Sequence, residues 1–308
     1  MLAAALLTLL EDIYFSFGSL FLAMRKVSYS VAIGLVVHTL FVIVFLVAML
    51  RSPSLGALVG AHLLRSFCLV GAALILTQRR LFKLHWLWDR GFVRAGFPFI
   101  LIALLHAGRD QVGTLMLGFL AGYDAVAQYN LAYRVVAASL FVPTAICAVL
   151  VPLLVADRLS VRNRAILSRA VVSLGVAGAT IGAVVWLFSI PIASALYGPL
   201  ANSIGPPLRW LSALFPVGFL ALFLSLVLQA LYQERKVLRV LVAVTSTNIL
   251  LNLMLIPSLG VKGAVLSQVL SSALQLVMLA WLLLRLMKHP DAIAGEQRVV
   301  VLSDDIIA

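Results

Sequence analysis

Stretches of about 20 apolar residues recur along the whole chain, and no other feature constrains its fold more. A run of that length is what a helix needs to cross the hydrocarbon of a bilayer. With no water in that layer, each backbone N–H and C=O must be satisfied inside the spanning structure, which a helix does within its own segment. Such runs lie at about residues 2–24, 28–50, 55–77, 97–120, 127–155, 170–190, 211–231, 238–256 and 263–286. The pattern predicts an all-α, polytopic membrane protein with about nine transmembrane helices. Composition agrees: 63% of residues are hydrophobic, 11% are charged and the mean hydropathy is +1.13. Soluble domains are roughly half apolar and about a quarter charged, so a water-soluble globule is excluded. Cys68 and Cys147 both lie inside apolar runs, which points to neither a disulfide framework nor a metal knuckle. Glu11 and Asp12 interrupt the first run, and it lacks the basic start of a signal peptide, so it is expected to stay in the protein.

The net charge of +12 would suggest a nucleic-acid partner in a soluble protein. Here it is a topology signal, and no nucleic acid and no cofactor is expected. Arg25 and Lys26 share one gap between runs; Arg79, Arg80, Lys83, Arg90 and Arg94 share another. Arg158, Arg162, Arg164 and Arg169 fill a third, Arg235, Lys236 and Arg239 a fourth, and Arg285, Lys288 and Arg298 mark the C-terminal end. The gaps between these hold only Arg51, Arg209 and Lys262. Cytoplasmic loops carry the excess of Lys and Arg, which puts the C-terminus inside and, with nine spans, the N-terminus outside.

Two stretches echo each other. Arg25-Lys26-Val27 opens a run ending near Pro53-Ser54-Leu55-Gly56, followed by Gly60-Ala61; Arg235-Lys236-Val237 opens one ending near Pro257-Ser258-Leu259-Gly260, followed by Gly263-Ala264. Parallel repeats of this kind build the paired halves of several transporter folds. If the first three spans match the last three, the middle three lack a partner, and three further spans are expected ahead of Met1. The organisation expected is three helices of an N-terminal lobe at 1–90, a six-helix C-terminal lobe at 91–288 and a cytoplasmic tail at 289–308.

The half from Gly91 onward carries Ala95-Gly96-Phe97-Pro98-Phe99, then Arg109-Asp110, then Gly122-Tyr123-Asp124-Ala125-Val126-Ala127-Gln128-Tyr129-Asn130-Leu131-Ala132-Tyr133-Arg134. A second stretch is Asn248-Ile249-Leu250-Leu251-Asn252-Leu253-Met254-Leu255-Ile256-Pro257, running into Gly260-Val261-Lys262-Gly263-Ala264. In these motifs the chain resembles the polysaccharide and lipid-linked oligosaccharide flippases of the multidrug/oligosaccharidyl-lipid/polysaccharide exporter superfamily, the O-antigen flippases among them. Ala127 stands where that family usually has Gly. The resemblance implies that spans one to nine correspond to helices four to twelve. It also implies a transporter, not an enzyme, that moves a polyprenyl-diphosphate-linked oligosaccharide across the cytoplasmic membrane of a bacterium for cell-surface polysaccharide synthesis.

An ionised side chain inside a bilayer is costly unless paired or wetted, so such residues are functional candidates by default. Arg65, Arg109, Asp110 and Arg134 lie well inside apolar runs, with His62 one turn before Arg65, His106 one turn before Asp110, and Asn130 one turn before Arg134. Guanidinium groups hold phosphate in bidentate fashion. The expected substrate cavity lies between two lobes and is lined by Arg65, Arg109, Arg134 and Asn130, with Asp110 as counter-ion or as a proton- or sodium-coupling site. The bland alternative is a structural ion pair between Asp110 and Arg65 or Arg109, with Arg134 snorkelling to the outer interface. Asn248, Asn252, Gln229, Gln268 and Gln275 read as interhelical hydrogen-bond partners. Gly56-x-x-x-Gly60 and Gly118-x-x-x-Gly122 read as sites of close helix approach, and Pro98, Pro143 and Pro216 as bends within spans. Other readings are a drug or cation antiporter of the same superfamily, which would favour acidic cavity residues, or an inactive remnant of a transporter. A membrane glycosyl- or acyltransferase would need a catalytic His, Asp or metal cluster, and no His-Glu-x-x-His or Asp-x-Asp motif is present.

Overall fold

The computed structural model describes residues 27–51, 54–80, 90–157 and 161–288, together with single positions among the first 26. Side chains at some of these, Asp110 among them, lie outside the described set. All regular structure among the described residues is helical: α1 Val27–Arg51, α2 Leu55–Arg80, α3 Arg90–Leu120, α4 Tyr123–Ser139, α5 Phe141–Asp157, α6 Val161–Leu187, α7 Ser189–Tyr197, α8 Ala201–Leu211, α9 Leu214–Ala230, α10 Glu234–Leu259 and α11 Val261–Lys288. A short 3-10 turn, Gly198–Leu200, joins α7 to α8. Five helical segments are long and apolar enough to cross a membrane, and six if the bent pair Ser189–Leu211 and Leu214–Ala230 counts as one. The chain is therefore an all-α polytopic membrane protein. Most of the predicted first span, and the tail at 289–308, lie outside the described residues.

The chain divides into two compact units, Met1–Asp89 and Arg90–Ala308. In the first, α1 and α2 pack on each other around Ile33, Leu69 and Ala73, with Tyr14, Phe17 and Val37 against them. Most of α1 faces outward with large apolar side chains such as Leu35, Leu40, Ile43 and Leu46. A helix apolar all round suits lipid, whose tails are as apolar as leucine.

In the second unit α11 runs through the core, packed by α10 and α9, while α10 also packs on α3. Phe215, Phe219 and Phe223 of α9 are all at most 1% exposed, and the first two meet edge to face at 6.2 Å. The α10–α11 connection turns at Gly260, whose φ of 56° is open to glycine at no steric cost. Three residues on, a Cβ at Gly263 would overlap the Leu255 carbonyl, so this hairpin closes tightly because both positions lack side chains.

Three sequence expectations change here. Within the run 127–155 the helix is interrupted at Leu140, between α4 and α5, although the two together still make one candidate span, Tyr123–Val151. Pro143 then falls in the first turn of α5 and Pro216 in the first turn of α9, where the missing N–H is an orphan donor in any case; of the three prolines, Pro98 lies in a helix interior. Second, the stretch 191–210, read as a gap, is the broken helix α7–α8. Ala201, Ile204, Gly205, Pro207, Leu208 and Leu211 bury one side of α8, and this apolar stripe outweighs four prolines in the segment. Third, the glycines that bring helices together are not the predicted ones. A Cβ at Gly60 would meet nothing within 4 Å and one at Gly118 would touch Val126 at an ordinary 3.6 Å. At Gly178 it would lie 2.7 Å from the Pro216 Cα, and at Gly182 2.8 Å from the Ser212 carbonyl oxygen. The close approach is between α6 and the start of α9.

Candidate functional site

The polar residues of the second unit gather where α3, α10 and α11 meet. On α11 the sequence places Ser267, Gln268, Ser271, Ser272 and Gln275 at spacings of three and four, which puts them on one face. All five are at most 4% exposed. A buried polar stripe in an apolar helix must find partners, and α10 supplies them. The Asn248 Nδ2 donates to the Ser271 Oγ at 2.9 Å, and lies 3.3 Å from both the Gln268 Oε1 and the Ser267 carbonyl oxygen. Asn252, one turn along, donates its Nδ2 to the Asn248 Oδ1 at 3.0 Å. The Asn252 Oδ1 is buried with no partner among the described residues.

Further along α11, the Gln275 Oε1 accepts a hydrogen bond from the Arg109 Nη1 of α3. Gln275 is 1% exposed, and the Arg109 Nε is buried without a partner among the described residues. An arginine stays charged in any protein environment. A neutral amide orients that charge without cancelling it.

Near the other end of α3, Thr114 donates its hydroxyl to the Asn130 Oδ1 of α4 at 2.8 Å. Gly113 leaves room for the buried Tyr129 ring, whose hydroxyl would sit 3.6 Å from a Cβ there. Tyr129 and Tyr133 stack with ring centroids 5.8 Å apart. Arg134 is exposed, one turn beyond Asn130 on the same helix. Arg65 belongs to the first unit: its Nη2 pairs with the Glu11 Oε1, and its guanidinium lies over the Phe41 ring at 5.3 Å. Arg65 bonds Glu11 and Arg109 bonds Gln275; the Asp110 side chain, and with it the expected pairing to Arg65 or Arg109, lies outside the described residues.

Asn248, Gln268 and Gln275 thus serve as interhelical partners. Gln229 instead bonds its own helix, its Nε2 reaching the Ser225 carbonyl oxygen at 3.1 Å. Sequence reasoning missed the three serines and the pairing of Gln275 with Arg109. The serines had a signal, the spacing of three and four within an apolar run; the pairing joins residues 166 positions apart and had none.

No protein-family model matches the chain, and no solved structure does. Over 170 residues it is 34% identical to a probable flippase, AglR, of Haloferax volcanii. The match covers 52% of this chain and 35% of the relative, so it spans about a third of the relative's length.

Proposed function

We propose that the protein is a flippase that carries a lipid-diphosphate-linked oligosaccharide from the inner to the outer leaflet of the cytoplasmic membrane by alternating access, in cell-surface polysaccharide synthesis. Support comes from the likeness to a probable flippase and from one observation above all: a half-buried arginine, Arg109, with its Nε shielded from solvent, held by a neutral amide within an apolar helix bundle. A diphosphate cannot cross hydrocarbon unaided, and a guanidinium in a place of low dielectric binds it far more strongly than one in water. Arg109 takes the diphosphate, Asn130 and Arg134 of α4 bind sugar hydroxyls or the second phosphate, and Arg65 makes a separate contact within the first unit. Asp110 is the counter-ion or the group that takes up a coupling proton or sodium ion. The distribution of Lys and Arg puts the C-terminus in the cytoplasm and Met1 outside.

The test is surface glycan in cells whose own flippase is deleted and which express the chain, stained with a lectin, with immunoblots for membrane level. Arg109→Ala and Asp110→Ala are expected to reduce staining to background at unchanged protein level. Arg109→Lys keeps the charge but loses the two-pronged fork and is expected to fall between. Full staining in both alanine variants would overturn the assignment.

A further inference from the structure

We propose that Glu11 is a tethered competitor at Arg65: its carboxylate fills an anion site there until the diphosphate of a prenyl-linked ligand displaces it, and so keeps singly charged anions out. The proposal rests on the reading of the protein as a flippase for such a lipid. Arg65 lies in the candidate span Val59–Gln78, where a guanidinium needs a counter-charge. Its seat is built from aromatic rings. The guanidinium stands over the Phe41 ring, 5.3 Å from the centroid, within the range of cation–π attraction. The His62 ring meets Phe41 edge-on at 4.8 Å and Phe45 at 6.5 Å, and Phe41 stacks on Phe45 at 5.8 Å. Side chains of both α1 and α2 thus hold the cation in one place.

The two members of the ion pair are held very differently. The Arg65 side chain is 16% exposed and that of Glu11 50%. The arginine is walled in, while the glutamate reaches it from the rim and can turn away without breaking up the ring cluster. The Glu11 carboxylate takes the Arg65 Nη2, but the Arg65 Nε is buried with no partner among the described residues. The Nε–Nη2 edge is one of the forks on which arginine holds an oxyanion through two parallel bonds, and Glu11 covers one prong of it. A tethered group acts at high effective concentration, so a free anion of one charge that makes the same single contact does not dislodge it. A diphosphate does, because it carries more charge and can set oxygens on both prongs. The internal carboxylate therefore sets a threshold of charge and geometry that admits phosphate esters and rejects chloride and simple carboxylates.

The experiment is isothermal calorimetry of farnesyl diphosphate binding to the full chain in non-ionic detergent, for the wild type, Glu11→Gln, Arg65→Gln and the double variant. Glu11→Gln is expected to bind about tenfold more tightly than the wild type, since no carboxylate has to be expelled. In the Arg65→Gln background the same change is expected to alter affinity by no more than about twofold. Acetate is expected to compete with the ligand in Glu11→Gln at concentrations that leave the wild type unaffected, and absence of that competition would overturn the selective role. Wild-type affinity in Glu11→Gln would make the pair structural and overturn the proposal; equal tightening in both backgrounds, the mark of a general charge effect, would do the same. Glu11→Ala repeats the comparison should the glutamine variant fail to fold. Inorganic diphosphate bound as tightly as the farnesyl ester would overturn the lipid as the source of the anion. Absence of binding in all four proteins would overturn the flippase reading itself and the proposal with it.

Discussion

Alanine at Gly178 is expected to destabilise the protein by about 1–3 kcal/mol, the usual cost of forcing an extra methyl into a packed interface, and leucine there to prevent folding. The new Cβ would meet the Pro216 Cα at 2.7 Å and the Phe215 carbonyl oxygen at 2.9 Å. These are backbone atoms at a helix start, so they cannot step aside as a side chain would. Alanine at Gly182, 2.8 Å from the Ser212 carbonyl oxygen, is expected to behave in the same way. Gly175 lies one turn earlier on α6 and supplies the matched control. A Cβ there would touch the Leu220 Cδ1 at an ordinary 3.8 Å, so Gly175→Ala is expected to be neutral or to stabilise by up to about 1 kcal/mol, since alanine is the better helix former. Thermal unfolding of the purified protein in detergent, followed by fluorescence-detected gel filtration, measures all three. If Gly178→Ala and Gly175→Ala unfold at the same temperature, α6 and α9 are not in backbone contact. Gly178 and Gly182 pack against the residues at the bend of 51° between Ser189–Leu211 and Leu214–Ala230.

How far such features can be read from sequence depends on the range of the interactions that set them. Apolar length and the positions of arginine and lysine are local, and they placed α1, α2, α10 and α11 within a few residues, while α6 begins nine residues before the run that predicted it. The basic triplet and Pro-Ser-Leu-Gly echo was legible too, and both copies end as packed helix pairs, α1 with α2 and α10 with α11. The α7–α8 segment was lost because proline reads as a helix breaker, although Ala201, Ile204, Leu208 and Leu211 already show helical spacing. The glycines failed for a different reason. A Gly-x-x-x-Gly pattern says that close approach is permitted, and only a partner's backbone decides where it happens: Pro216 chose Gly178, while nothing approached Gly60. In the candidate site the charged residues stood out against an apolar background, but their partners, Gln275 for Arg109 and Glu11 for Arg65, are set by tertiary packing.

The Arg109–Gln275 contact separates a structural role from a transport role in a double-mutant cycle. Gln275→Leu removes the acceptor and leaves a half-buried guanidinium without it, which is expected to cost about 1–2 kcal/mol, part of the penalty for orphaning a charged donor. Arg109→Met removes the charge and leaves the Gln275 amide wanting a donor, a smaller loss. With both changed, two apolar side chains of similar reach meet, and stability is expected to return close to that of the wild type, since replacing both members of a buried polar pair is often neutral or better. Denaturant or thermal unfolding in the same detergent reads these values, and the coupling energy follows from the four proteins. Surface glycan then gives the second readout. If Arg109 exists to hold α3 against α11, the double variant regains transport along with stability. If it exists to meet a diphosphate, the double variant is folded, abundant in the membrane and silent. The second result is expected, because a bundle needing only adhesion at this point would be served as well by two leucines, without the cost of keeping a charge out of water.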